Sequence, residues 1–238
     1  MKKICLMITG ICMLFSLTGC LYPDQQKSEN RVPYKDQIQM VQGAVNDYKK
    51  DTSVLPIKNK DASTDIYEKY PIDFGRLVPK YMQQPPGNSF EKGGTFQYVL
   101  TDAETNPKVK LIDLVIVNKA QDLELRLKEY TRTHKYPPYD KIMASGRYTL
   151  NYKKMGYKEA PYVVSPYSGK NLPFFVDNES KVHVDYSIDL YEALKKTKDV
   201  KEGKDIRPLL TKNSYFVPVR SVPYSVKNGE PEFLIGKP

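Results

Sequence analysis

Residues 95–134 read TFQYVLTDAETNPKVKLIDLVIVNKAQDLELRLKEYTRTH, and this stretch decides the fold. The segment 95–101 alternates around Phe96, Tyr98 and Leu100, the period of a half-buried strand. The segment 109–117 is rich in β-branched residues, and 102–107 joins the two as a hairpin with a longer loop. A helix is then predicted over 118–134, with Asn118 and Gln121 spaced as a capping pair and Leu123, Leu127 and Tyr130 on one face. Strand, strand and helix in immediate succession, with no long apolar run among them, point to an α+β body built on small antiparallel sheets.

Working outward, a first helix is predicted over 34–50 by the stripe Ile38, Val41, Val45 and Tyr48, followed by the extended apolar segment Val54-Leu55-Pro56-Ile57. Asp65 and Glu68 have capping-box spacing, 73–78 reads as a short helix, and Pro85-Pro86-Gly87-Asn88 is a turn. Beyond the central helix come Tyr136-Pro137-Pro138, a mixed stretch 139–157 and the turn Ser165-Pro166-Tyr167-Ser168-Gly169. An apolar strand 172–176 and an alternating strand 182–187 follow. A helix over 189–196 with Asp189 and Glu192 as its capping pair, a turn of helix over 206–210 and a strand over 215–219 come next. Asn228-Gly229 then marks a tight hairpin between 224–226 and 233–235. Helix, Pro-marked segment and hairpin thus occur twice in the same order. Lys108-Val109-Lys110-Leu111 and Lys181-Val182-His183-Val184 occupy equivalent places, and two similar helix-plus-hairpin halves, 34–117 and 118–238, are expected.

The start of the chain has a different character. Met1-Lys2-Lys3 is basic, 4–17 is apolar, and Leu17-Thr18-Gly19-Cys20 closes the run. That is the layout of a secretory leader, and the run falls short of the ~20 residues a spanning helix needs. The closing tetrapeptide resembles the lipobox of bacterial lipoproteins. The resemblance implies a signal peptide over 1–19, cleaved before a Cys20 that carries a diacylglyceryl group, and a location at the outer face of the cell membrane. With the Tyr-Pro that follows, the chain resembles the YphF-type lipoproteins of Bacillus-like bacteria, a likeness that implies no activity. Helix, Pro-marked segment and hairpin are also similar, loosely, to the globular part of pilins. Their first helix is a long membrane span, whereas 34–50 is short and polar on one side, so no function carries across. Residues 20–33 are polar with Pro23 and Pro33, and read as a tether reaching roughly 40 Å at ~3.3 Å per residue.

Cys5 and Cys12 would leave with the leader, so no thiol chemistry, disulfide or thiolate-bound metal is expected in the body. No cofactor beyond the lipid on Cys20 is expected either. Charge is uneven: residues from Cys20 to Val117 balance 13 basic against 13 acidic side chains, while Asn118 onward carries 22 against 15. A basic distal half on an envelope protein suits anionic wall polymer, lipid head groups or a membrane-protein partner, whereas nucleic acid does not belong to that compartment. The segment 135–167 concentrates tyrosine and lysine, and Lys135, Tyr136, Tyr139, Arg147, Tyr152, Lys153, Lys154, Tyr157 and Lys158 are the candidate binding residues. The competing reading makes those rings half-buried core and the lysines a solvated rim. His134, at a helix end, and His183, between two valines on an expected solvent face, lack metal-ligand spacing. The carboxylate pairs Asp185/Asp189 and Glu230/Glu232 are explained by caps and exposed faces. Gly93-Gly94 is a turn without the Lys-Ser/Thr of a phosphate loop, and neither Ser145-Gly146 nor Ser168-Gly169 has a nucleophile elbow. The function expected is a membrane-anchored binding or scaffold module. The alternatives are an envelope hydrolase with an unrecognised acidic site, or an accessory subunit of a membrane complex.

Overall fold

The computed structural model describes residues 34–58, 60–197 and 199–234, and they belong to one compact unit. The expected leader, Cys20, the expected tether and Ile235 lie outside the described residues. The body is α+β with small antiparallel sheets. Among the described residues no helix is long and apolar enough to cross a membrane.

Helix α1 (Tyr34–Thr52) buries Ile38, Val41, Ala44 and Val45, the stripe its sequence spells out. Helix α2 (Phe74–Leu77) is a single turn begun by Asp73, whose carboxylate accepts the Gly75 N–H at 3.2 Å. Both pack on a two-stranded sheet of β1 (Phe96–Thr101) and β2 (Lys108–Asp113), in register Tyr98↔Leu111 and Leu100↔Val109. One face of this hairpin carries Tyr98, Leu100, Val109 and Leu111 into a small core with α1 and α2. Its other face sends Val99 and Ile112 into a second, larger core. A thin sheet is thereby covered on both sides, which a two-stranded ribbon needs for stability.

Helix α3 runs Leu114–His134 and starts earlier than the sequence predicts. The β-branched run Val115-Ile116-Val117 is helical because β1 begins opposite Asp113, so no strand remains to pair with it. Asp113 is the actual cap, its Oδ1 accepting the Val115 N–H at 2.8 Å. Ile116, Ala120, Leu123 and Leu127 then line the buried stripe.

The larger core is closed by a five-stranded sheet: β3 (Tyr139–Ala144), β4 (Arg147–Leu150), β5 (Tyr162–Val164), β6 (Asn171–Asp177) and β7 (Val182–Val184). The central β6 pairs with β4, β5 and β7, and β3 hangs on β4 at the edge. The β3–β4 hairpin was hidden in the stretch of mixed character because β3 is exposed from Tyr139 to Met143 and shows no burial alternation, although Gly146, with φ 68°, marks its turn. Helix α4 (Ser187–Leu194) and the turn of helix α5 (Pro208–Thr211) follow. The hairpin β8 (Tyr224–Lys227) and β9 (Glu230–Phe233) turns at Asn228 and Gly229, whose φ values of 51° and 82° suit a tight type I′ turn.

Four expectations need correcting. Asp65 caps no helix: its Oδ1 accepts the Tyr67 N–H at 3.0 Å in a turn, and its Oδ2 takes Arg207 at 2.7 Å. Asp189 does not cap α4 either; it is the third residue of the helix, inside the first turn and buried, with Oδ2 accepting the Ser165 hydroxyl at 2.8 Å. His183 faces inward, because β7 is covered on both sides; its Nε2 lies 2.7 Å from Asp177 Oδ2 and its ring stacks on Phe175. The segment 215–219 is no strand of a sheet: Phe216 makes one parallel bridge to Leu111, with Val217 N–H donating to Leu111 O at 3.0 Å.

The candidate binding groove

The nine candidate residues separate into two places. Asn151 Oδ1 accepts the Lys154 N–H at 3.2 Å and starts a tight loop, which Gly156 closes at φ 82°. Inside it, Tyr152 packs on the larger core, its hydroxyl donating to Phe174 O at 3.1 Å, and burial pushes its phenol up to about 12. Tyr157 meets Tyr152 edge-on at 6.1 Å. A hollow of about 260 Å³ opens beside this loop and is lined by Tyr152, Lys153, Tyr157 and Lys158. Lys154 does not line it.

That hollow shares Tyr157, Glu159 and Ala160 with a larger one of about 790 Å³. The far wall of the larger hollow is α3, through Lys119, Asp122, Leu125 and Arg126. Arg126 lies over the Tyr157 ring at 4.9 Å, and Lys119 lies 5.6 Å from the Tyr162 ring while reaching Tyr162 O at 3.3 Å. Burial raises the Tyr157 phenol and the Arg126 charge opposes it. The joined surface is an open groove that presents four cations (Lys119, Arg126, Lys153, Lys158) and three carboxylates (Asp122, Asp140, Glu159) around aromatic faces. Its chemistry is suited to a ligand carrying phosphates and hydroxyls: cations meet phosphate, carboxylates accept hydroxyl protons, and ring faces cover the apolar faces of sugars.

Lys119 and Arg126 were missed by sequence reasoning, and Tyr162, though inside the tyrosine-rich segment, stood outside the candidate set. The signal was the seven-residue spacing of Lys119 and Arg126, which puts both on one face of a helix two turns apart. Of the remaining predicted residues, Lys135 ends α3 in a left-handed conformation with φ 70°, and Tyr136 is exposed. Tyr139 stacks on Tyr148 at 4.3 Å across the β3–β4 hairpin. Arg147 lies over the Phe233 ring at 5.0 Å, where burial lowers its pKa.

A separate cleft of about 780 Å³ lies between α4 and α5, lined among others by Tyr167, Ser168, Lys170, Asp189, Glu192, Lys196 and Lys212. Burial raises the Asp189 carboxyl, against the hydrogen bond from Ser165 that lowers it. The charges of Lys195 and Lys170 hold Glu192 below the usual carboxylate range. One carboxyl pushed up beside another held down is the pairing acid–base chemistry uses. Here, however, Asp189 is engaged by Ser165 as the clamp of the 165–169 turn, and Ser165 Oγ also accepts the Tyr167 and Ser168 N–H groups at 3.0 and 3.1 Å. Among the described residues no group of His, Cys, Asp and Glu is arranged to hold a metal ion.

Fold and groove together define an α+β protein with two cores sharing one hairpin and an open basic-aromatic groove on the larger one. Residues 34–113, the part from α1 to the end of β2, match the family model described as the YphF family N-terminal domain, which supports a YphF-type protein. No curated protein and no solved structure matches the chain.

Proposed function

We propose that this chain is a lipid-anchored extracytoplasmic binding module, held at the outer face of the cell membrane by a diacylglyceryl group on Cys20. In this reading the α3–β5 groove takes an anionic, hydroxyl-rich envelope polymer. Its lipoprotein nature and Bacillus-like origin rest on Leu17-Thr18-Gly19-Cys20 and the Tyr-Pro that follows. Two acyl chains at about 0.8 kcal/mol per buried methylene give stable anchoring. The observation that supports the binding role is the pairing of cations with aromatic faces along the groove, Arg126 on Tyr157 and Lys119 on Tyr162.

The test is retention of purified protein on isolated cell wall. Tyr157→Ala combined with Lys153→Glu and Lys158→Glu should lower retention at least tenfold, with an unchanged circular dichroism spectrum. Equal retention of this variant and the wild type would remove the groove from the binding role. The anchor is read separately: Cys20→Ala should leave the membrane fraction or accumulate with its leader attached.

A further inference from the structure

The edge strand β3 is exposed from Tyr139 to Met143, with Ile142 77% accessible, and Tyr136, three residues before the strand, is 58% accessible. These four apolar or amphipathic side chains sit within eight residues of one another. Lys135, just before them, and Lys141, among them, are both exposed, with Asp140 the one acid in the run. The hairpin is a firm platform: Tyr139 stacks on Tyr148 at 4.3 Å, and Thr149 Oγ1 accepts the Lys141 N–H at 3.0 Å.

We infer that the β3–β4 hairpin docks on the anionic lipid surface to which the chain is anchored, with Tyr136, Tyr139, Ile142 and Met143 seated at head-group depth and Lys135 and Lys141 on lipid phosphates. This inference rests on the anchor reading: a tether of roughly 40 Å keeps the hairpin within reach of the bilayer. Tyrosine with an apolar neighbour is the mixture enriched at membrane–water interfaces, and lysines meet the negative surface. Another polypeptide strand fits the edge poorly. The β3–β4 register shifts twice, between Tyr139 and Ile142 and between Ile142 and Ala144, and Lys141 projects from the edge strand; both devices block strand addition. Seating must be shallow, because the outer edge of β3 has unpaired backbone groups that hydrocarbon would leave unsatisfied.

The chain contains no tryptophan, so Ile142→Trp is a unique reporter. The lipidated full chain would be reconstituted in vesicles of phosphatidylglycerol and phosphatidylcholine. Its emission should shift to the blue and be quenched more strongly by lipids brominated near the head group than by those brominated deep in the tail. Lys135→Gln with Lys141→Gln should reduce the docked-to-undocked ratio about 30-fold, at about 1 kcal/mol per lysine. Phe90→Trp, at an exposed site outside the hairpin, should show neither effect. Unchanged Ile142→Trp emission on vesicles that still carry the protein overturns the docking and leaves the anchor standing. Equal shifts on pure phosphatidylcholine, or equal quenching of Phe90→Trp, overturn it too. A blue shift without vesicles that grows with protein concentration would assign the strand to a second copy instead. An unmodified Cys20 by mass spectrometry removes the anchor; the reporter is then read on the unanchored chain, where an unshifted spectrum on anionic vesicles overturns the docking as well.

Discussion

The two cores share a wall, yet they are built on different principles. The small core of α1, α2 and one face of β1–β2 is mostly apolar; its buried polar contacts gather at the Tyr98 hydroxyl, 2.8 Å from Asn88 Oδ1 and 3.4 Å from Gln37 Oε1. The larger core buries charges. Asp185 accepts the Ser187 N–H and the Tyr224 hydroxyl, Asp189 accepts Ser165, and His183 meets Asp177. Arg207, nearly fully buried, is held by Asp65, Asp205 and Ser221 with its guanidinium over Tyr67. An apolar core tolerates imprecise matching of partners, whereas a buried ion must have its counter-charge in place or it destabilises the fold. The larger core is therefore the more exacting of the two.

They are also not independent. Lys110 of β2 donates to Thr211 O and Ser214 O at 2.8 and 2.6 Å, Phe216 bridges Leu111, and the rings of Tyr34, Phe96 and Phe216 pack edge-on. The segment that matches the YphF N-terminal domain is thus completed by residues more than a hundred positions downstream.

The comparison can be broken most forcefully at Arg207. Arg207→Ala strands Asp65 and Asp205 and should cost about 3–5 kcal/mol in urea unfolding; a loss below about 1 kcal/mol would mean that the ionic tie to the N-terminal half is idle. Next, Leu111→Ala and Leu172→Ala, one in each core and both fully buried, should each cost about 3 kcal/mol. Because the hairpin is shared, both should lower one common transition; two separated transitions in Leu111→Ala would make the cores separate folding units. Phe216→Ala, half-buried, should cost about 2 kcal/mol and act on the small core although it lies in the distal half. Smallest is Asp189→Asn. Burial raises the Asp189 pKa in the folded state, so its folded-state contribution is fully favourable below the unfolded value of about 3.9 and fades as pH rises through the raised one. The variant should be as stable as wild type or slightly more so at pH 7, the difference shrinking as thermal melts are taken down towards pH 3. A variant markedly weaker at pH 7 would show that the ionised clamp on Ser165 outweighs its burial.

The same contrast explains what could be read in advance. The stripes of α1 and α3, the alternation of β1 and the Asn228-Gly229 turn are local signals, and apart from the first turn of α3 their elements stand where those signals put them. The start of α3 was misplaced because β-branched residues favour a strand only while a partner strand continues. The β3–β4 hairpin was missed because an exposed strand has no burial period to show. In the groove, Tyr152, Lys153, Tyr157 and Lys158 were found by composition, while Lys119 and Arg126, on a different element, were not.

From its sequence alone the chain shows an α+β body, its principal helices and a basic distal half, together with an opening segment that resembles a lipobox. Burial period, turn chemistry and charge are properties of neighbours along the chain, and they need no fold to be seen. Tertiary structure alone decided that His183 points inward, that Asp65 and Asp189 are clamps rather than caps, that Arg207 joins the halves, and which tyrosines and lysines share a groove. Those facts depend on groups between 6 and 142 residues apart, whose meeting is set by how sheets and helices pack.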